Sequence, residues 1–213
     1  MRMYLSSFQL GDHPEHLLAL VDRPGPVAVL VNALDAADVD RRRAAVQQEI
    51  EALAGLGLDA VEVDLREHAD DAAGLTRRLQ DHSAVWVRGG NVFVLRKAMA
   101  VSGADLAITD LVRADRLVYA GYSAGPCVAG QHLRGLEEVD DVSEVERAYG
   151  GEPVWEGLGL LDRLFVPHVD SPGHPETEDC TRIAERLRRE GVERWALRDG
   201  QALVVDGDAV RVV

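Results

Sequence analysis

Short apolar runs alternate with amphipathic stretches along almost the whole chain, and this alternation constrains the fold more than any other feature. Val27–Val31 is apolar at every position, which is typical of a strand buried on both faces of a parallel sheet. Asp40–Leu56 has helical spacing, with Glu49 predicted to face solvent. Strands alternating with helices predict an α/β fold, a three-layer sandwich with a mostly parallel central sheet.

The predicted elements cover one domain, residues 1–213, and the last two strands form an antiparallel hairpin at the C-terminal edge through Asp206-Gly207. The predicted strands are Met3–Phe8, Val27–Val31, Asp59–Leu65, Ala84–Val87, Leu117–Gly121, Leu164–Val166, Trp195–Ala196, Ala202–Val205 and Ala209–Val213. The predicted helices are Pro14–Val21, Asp40–Leu56, Ala72–Leu79, Val92–Ala100, Ala104–Val112 and Thr177–Glu190. Glu137–Trp155 is acidic and aperiodic, and a loop of that length in a compact domain is often functional.

Composition excludes several partners. The formal net charge of −14 argues against nucleic acid and anionic membranes, which both require a basic face. No apolar run is long enough to span a bilayer, and the N-terminus is not that of a signal peptide, so we expect a cytoplasmic protein. The two cysteines are too few for a disulfide framework and lack metal-ligand spacing. Monomer and homodimer both remain open.

The strongest chemical signal is Gly121-Tyr122-Ser123-Ala124-Gly125, a G-x-S-x-G sequence between a buried strand and a helix. A serine on such a tight turn is forced into a strained backbone, and the flanking glycines let neighbouring chain pass closely. Backbone N–H groups at the start of the helix can then stabilise a developing oxyanion. The pattern predicts Ser123 as a nucleophile; a capping serine in a glycine-rich turn is the alternative.

A serine nucleophile needs a base, and His168 is the best placed of the seven histidines. It follows the strand Leu164–Val166, so we expect it at the carboxyl edge of a parallel strand, where open α/β sheets assemble their sites. His174 is the reserve candidate. A metal site of His168, Asp170 and His174 is disfavoured because no further histidine or cysteine completes a tetrahedral set.

Two further parts of a hydrolytic site are less sharply defined. An acid should orient the imidazole, and the acidic segment offers four that sequence reasoning cannot rank: Glu137, Glu138, Asp140 and Asp141. Arg88-Gly89-Gly90-Asn91 follows a strand, so its bare backbone can approach a ligand and supply a second oxyanion donor. It is neither a dinucleotide fingerprint nor a phosphate loop.

Together these segments resemble the dipeptidase E (aspartyl dipeptidase) family, whose fold is similar to the flavodoxin-like fold of class I glutamine amidotransferases. The resemblance covers nearly the whole chain. The family's G-G-G-N, G-[WY]-S-A-G and Pro-His motifs correspond to Arg88–Asn91, Gly121–Gly125 and Pro167-His168, and Gly173–Thr177 resembles the opening of its last long helix.

The resemblance implies Ser123 as nucleophile, His168 as base and Glu138, fifteen residues after the serine, as the acid. It also implies that the N–H groups of Gly90 and Ala124 form the oxyanion hole. The implied activity is release of N-terminal aspartate from short peptides, without metal or cofactor. The aspartate side chain needs a polar or cationic contact, for which the candidates are Arg88, Asn91 and Arg134.

Several alternatives stay open at this point. A glutamine amidotransferase needs a cysteine at the turn, where this chain has Ser123 and places Cys127 four residues later. A small esterase of the α/β-hydrolase type shares the G-x-S-x-G motif. Its acid follows a later strand, however, so an acid only fifteen residues after the serine does not suit that fold. A non-catalytic homologue binding a small acidic metabolite in the same pocket is the main non-enzyme alternative, because Arg88 replaces a family glycine and the acidic segment differs from the family pattern.

Overall fold

The computed structural model describes residues 1–213, which form nine strands and eight α-helices. The strands are β1 (Arg2–Ser6), β2 (Val27–Leu30), β3 (Ala60–Glu62), β4 (Ala84–Val87), β5 (Val118–Tyr122), β6 (Leu164–Val166), β7 (Arg194–Ala196), β8 (Ala202–Asp206) and β9 (Ala209–Val212). The helices are α1 (Glu15–Leu20), α2 (Val39–Gly55), α3 (Ala72–Gln80), α4 (Val92–Ser102), α5 (Ala104–Arg113), α6 (Ala124–Ala129), α7 (Glu144–Tyr149) and α8 (Thr177–Arg189).

The central sheet has seven strands in the order β3-β2-β4-β5-β1-β8-β9. Its first five strands are parallel, and β8 and β9 continue it as an antiparallel hairpin at one edge. The predicted α/β class with its antiparallel C-terminal edge is therefore confirmed. One detail differs, since β6 pairs in parallel with β7 in a separate two-stranded sheet rather than joining the central one.

Both faces of the inner parallel strands β1, β2, β4 and β5 are buried, as their continuous apolar sequences require. Along β1, Met3 and Leu5 belong to the larger core cluster on one face, and Tyr4 between them belongs to the cluster on the other. Trp86 on β4 is 1% exposed and lies on the same face as Tyr4. Full burial of one such large apolar side chain contributes about 1.5–3 kcal/mol. None of the helices is both long and apolar enough to cross a lipid bilayer.

Glu49 of α2 departs from its predicted position, because it is buried rather than facing solvent. Its carboxylate accepts hydrogen bonds from Trp86 Nε1 at 2.8 Å and from the Tyr122 hydroxyl at 2.7 Å. Helical periodicity places a residue on a face but does not reveal polar partners on the facing sheet. Here Trp86 and Tyr122 supply them, so the charged residue packs against β4 and β5.

Candidate active site

Ser123 occupies the turn between β5 and α6 in a backbone conformation that side chains rarely adopt. Its φ is +54° and its ψ is −112°. A non-glycine residue in such a region costs on the order of 1–3 kcal/mol, and residues of this kind cluster at functional sites. The turn leaves Ser123 partly exposed while every other residue of Gly121–Gly130 is buried.

The two glycines of the motif allow this turn to pack against β4. A Cβ on Gly121 would lie 2.2 Å from the carbonyl oxygen of Val87, and one on Gly125 would lie 2.4 Å from the same atom. Both distances are far inside van der Waals contact with backbone that cannot move independently. The glycines are therefore required by packing, independently of any chemistry at Ser123.

His168 and Asp199 form a hydrogen-bonded chain with Ser123. His168 Nε2 lies 3.1 Å from Ser123 Oγ, and His168 Nδ1 lies 2.7 Å from Asp199 Oδ1. A carboxylate at Nδ1 fixes the tautomer that carries its proton there, which leaves Nε2 as an acceptor for the serine hydroxyl. This is the arrangement of nucleophile, base and orienting acid that activates a serine.

Two buried serines, Ser7 and Ser171, hold His168 and Asp199 in place by hydrogen bonds. The Ser7 hydroxyl accepts the backbone N–H of His168 at 2.8 Å and donates to Asp199 Oδ1 at 2.8 Å. The Ser171 hydroxyl accepts the backbone N–H of Asp199, also at 2.8 Å. Ser7 follows β1 of the central sheet, whereas His168 follows β6, so this contact joins the two sheets at the site. His168 itself has a φ of +59°.

Burial lowers the pKa of His168 below its usual value of 6.5, although the hydrogen bond and charge of Asp199 act in the opposite direction. The ring is 1% exposed. A lowered pKa means that the imidazole is neutral near pH 7, as a general base must be before it accepts a proton.

His174 stacks on His168, with ring centroids 3.6 Å apart and planes within 5°. His168, His174 and Asp199 each place one potential ligand atom within 4.8 Å of the others. Stacked rings direct their nitrogen lone pairs parallel to each other rather than towards one point, and both His168 nitrogens already face Asp199 and Ser123. The metal-ligand set considered from sequence, His168, Asp170 and His174, does not assemble. Asp170 is not among the converging ligand atoms, and its Oδ2 instead lies 3.1 Å from Arg198 Nη2.

The Gly89-Gly90 turn lies directly against Ser123. A Cβ on Gly89 would be 2.8 Å from Ser123 Cβ and 3.2 Å from its Oγ, so only glycine allows this approach. Gly90 has a φ of +141°. Its N–H donates to no other group of the protein, and Ala124, as the first residue of α6, has no acceptor within its helix. Gly90 follows the glycine that contacts Ser123, and Ala124 directly follows Ser123, so both N–H groups remain candidates for the oxyanion hole.

The prediction of Glu138 as the orienting acid is wrong, because Asp199 occupies that position. Glu138 instead forms ion pairs with Arg186 and Arg182 of α8. The three other acids of the segment also bond elsewhere: Glu137 accepts the N–H of Gly135, Asp140 that of Val92 and Asp141 that of Ser143. None of the four contacts His168.

The predicted substrate contacts are also engaged within the protein. Asn91 Oδ1 accepts the N–H groups of Phe93 and Val94, and its Nδ2 donates to Asp141 and Glu144, so the side chain caps α4 and holds the acidic segment. Arg134 lies over the ring of Trp155, 5.3 Å from its centroid. Arg88 Nε lies 3.1 Å from Glu49 Oε1.

Sequence reasoning missed Asp199, although a signal for it was present. Asp199 stands in Arg198-Asp199-Gly200, between β7 and β8, so it follows a late strand as His168 does. The acids between Ser123 and His168 form a conspicuous acidic segment, whereas Asp199 stands alone in a short turn. The indication available in the sequence is an acid in a turn that directly follows a predicted late strand, the same placement that singles out His168.

The fold and this geometry define a class, an α/β protein with the side-chain arrangement of a serine hydrolase. The model of peptidase family S51 matches residues 25–213, and the chain belongs to that family. The predicted relationship to dipeptidase E is thereby confirmed. Peptidase E from Streptomyces coelicolor is 35% identical over 161 residues, which are 74% of this chain and 60% of that protein.

Other similar proteins also carry peptidase names. An uncharacterised peptidase from Listeria innocua is 30% identical over 56% of this chain and 54% of its own length. A Drosophila melanogaster protein named as an alpha-aspartyl dipeptidase is 30% identical over 61% of this chain and 52% of its own. The chain thus aligns with little more than half the length of these relatives. The fold matches a solved peptidase E protein from Listeria monocytogenes with a TM-score of 0.81 and 21% identity, covering 100% of this chain and 97% of that one.

Proposed function

We propose that this protein is a serine peptidase that hydrolyses short peptides through an acyl-enzyme. The observation that carries the proposal is the chain Ser123–His168–Asp199, with contacts of 3.1 Å and 2.7 Å at a strained strand-to-helix turn. Membership of a peptidase family supports the choice of peptides over esters as substrates.

In the proposed reaction, His168 Nε2 takes the Ser123 proton as Oγ attacks the scissile carbonyl carbon. The oxyanion receives hydrogen bonds from the N–H groups of Gly90 and Ala124. The tetrahedral intermediate collapses as His168 protonates the leaving amine, and the C–N bond breaks. Water then attacks the acyl-enzyme, His168 accepts its proton and returns it to Ser123 Oγ, and Asp199 stabilises the imidazolium formed in each half-reaction.

For the substrate we propose dipeptides with N-terminal aspartate, supported by the name of the Drosophila relative. A cavity of about 330 Å³ adjoins Gly90, and its charged lining consists of four carboxylates and one cation: Asp140, Asp141, Glu144, Glu176 and Arg41. Carboxylates there suit the free α-ammonium group that every dipeptide carries. Burial raises the pKa of Asp140 to about 7, so this group is partly protonated at neutral pH.

A dipeptide panel tests this proposal. Asp-X, Glu-X, Lys-X and neutral X-X dipeptides are compared by release of free amino acids, with Ser123→Ala as the control. We expect turnover of Asp-X, and a loss in kcat of at least about 1000-fold in Ser123→Ala. Turnover confined to neutral dipeptides would overturn the aspartate preference and leave the mechanism intact. No turnover of any peptide would favour the non-catalytic, metabolite-binding alternative.

A further inference from the structure

Arg88 directly precedes the Gly89-Gly90 turn that contacts Ser123, and its own contacts lead from the core to this turn. Its Nε lies 3.1 Å from Oε1 of the buried Glu49, and its Nη1 donates to the carbonyl oxygen of Gly89 at 2.8 Å. The Arg88 side chain is 20% exposed and that of Glu49 is 6% exposed. Arg88 thus forms an ion pair without hydrogen-bond geometry with a buried carboxylate at one end, and a hydrogen bond to the loop backbone at the other.

Glu49 is itself anchored to the strands that carry the site. It accepts hydrogen bonds from Trp86 on β4 and from Tyr122, the residue directly before Ser123. The guanidinium carbon of Arg88 lies 6.0 Å from the centre of the Tyr122 ring. The position of Arg88 is therefore tied to the same backbone that holds the nucleophile.

The bond to Gly89 O determines the orientation of the next N–H group. The Gly89 carbonyl and the Gly90 N–H belong to one planar trans peptide, so they point in opposite directions. Between two glycines this peptide can rotate at little steric cost, which would turn the N–H away from Ser123. A cationic donor on the carbonyl opposes the rotation and also polarises the peptide, which makes its N–H a stronger donor.

We propose that Arg88, held by Glu49, is a positioning residue that fixes the Gly89–Gly90 peptide with its N–H directed at the oxyanion. This inference rests on the proposed function, because Gly90 has a catalytic role only if Ser123 attacks a carbonyl. Arg88 acts through the peptide and leaves substrate affinity unchanged. That distinguishes the role from a direct ionic contact with a substrate aspartate.

Arg88→Met, Arg88→Lys and the double variant Arg88→Met/Glu49→Gln are compared with the wild type. Exposed Arg77 on α3, which forms no ion pair, provides the control Arg77→Met. Loss of one oxyanion donor costs about 100- to 1000-fold in kcat, so a loosened donor should cost about 10- to 100-fold in Arg88→Met, with KM within about two-fold. Arg88→Lys should recover part of kcat because a donor remains.

The double variant separates folding from catalysis. Arg88→Met leaves a buried carboxylate without its cation and should lower the Tm, whereas adding Glu49→Gln should restore the Tm but not kcat. A raised KM with unchanged kcat would identify Arg88 as a substrate contact and overturn the inference. Unchanged kcat and KM in both variants would also overturn it. A wild type that neither turns over peptides nor reacts with a fluorophosphonate would overturn the proposed function, and the inference with it.

Discussion

At the scale of single residues, the proposed reactivity depends on three side chains delivered by separate segments. Ser123 comes from the end of β5, His168 from the end of β6 and Asp199 from the connection between β7 and β8. Each lies within hydrogen-bonding distance of the next. Burial lowers the pKa of the His168 imidazole and the carboxylate of Asp199 raises it, and burial has the larger effect. The ring is therefore neutral at rest yet positioned to become charged.

Replacing Asp199 by Asn tests the acid identified by the structure. The imidazole would lose the carboxylate that holds its tautomer and stabilises its charged form, so we expect kcat to fall by about 10³- to 10⁴-fold. Glu138→Gln is the matched control, because Glu138 bonds only to arginines of α8, and its kcat should stay within about two-fold. The reverse ranking of the two variants would restore Glu138 as the functional acid.

The pH profile tests the state of His168. Protonated His168 cannot accept the serine proton, so kcat/KM should decline on the acid side with the pKa of this group in the free enzyme. Since burial lowers that pKa, we expect the midpoint below the usual 6.5. A midpoint above 7 would mean that the charge of Asp199 outweighs burial, contrary to the structure.

At the scale of secondary-structure elements, the turn between β5 and α6 is built around close backbone contact with β4. Gly121 and Gly125 both approach the Val87 carbonyl, and the Gly89-Gly90 loop that follows β4 returns to contact Ser123. Ser123 and the Gly89-Gly90 loop are thus carried by two adjacent parallel strands, β5 and β4. Their relative position is set by the sheet and not by a flexible segment.

Gly121→Ala measures how much this packing contributes. The new Cβ would meet the Val87 oxygen at 2.2 Å, and neither backbone can yield without distorting the sheet. We expect a loss of about 3 kcal/mol or more in the free energy of unfolding. Gly55→Ala at the end of α2 is the control, since a Cβ there meets nothing within 4 Å and alanine favours the helix, so stability should hold or rise slightly. Equal effects in urea unfolding would contradict the packing argument.

At the scale of the whole molecule, periodicity predicted nearly every element, because both faces of the parallel strands are apolar and the helices between them are amphipathic. It could not predict that Glu49 is buried or that β6 leaves the central sheet, since both depend on partners distant in sequence. Motif spacing singled out Ser123 and His168, which the fold brings to within 3.1 Å of each other. The acid was misplaced because fifteen residues of sequence separation say nothing about which carboxylate reaches a particular nitrogen.

The central claim is that one serine is activated by one histidine, and covalent labelling tests it most directly. The wild type, Ser123→Ala and His168→Gln are each incubated with a fluorophosphonate, and the adduct is located by intact mass and peptide mapping. We predict one adduct per wild-type chain, on Ser123, none in Ser123→Ala, and labelling slowed by at least about 100-fold in His168→Gln. An unlabelled wild type, or labelling at Ser123 that proceeds equally fast without His168, would contradict the account.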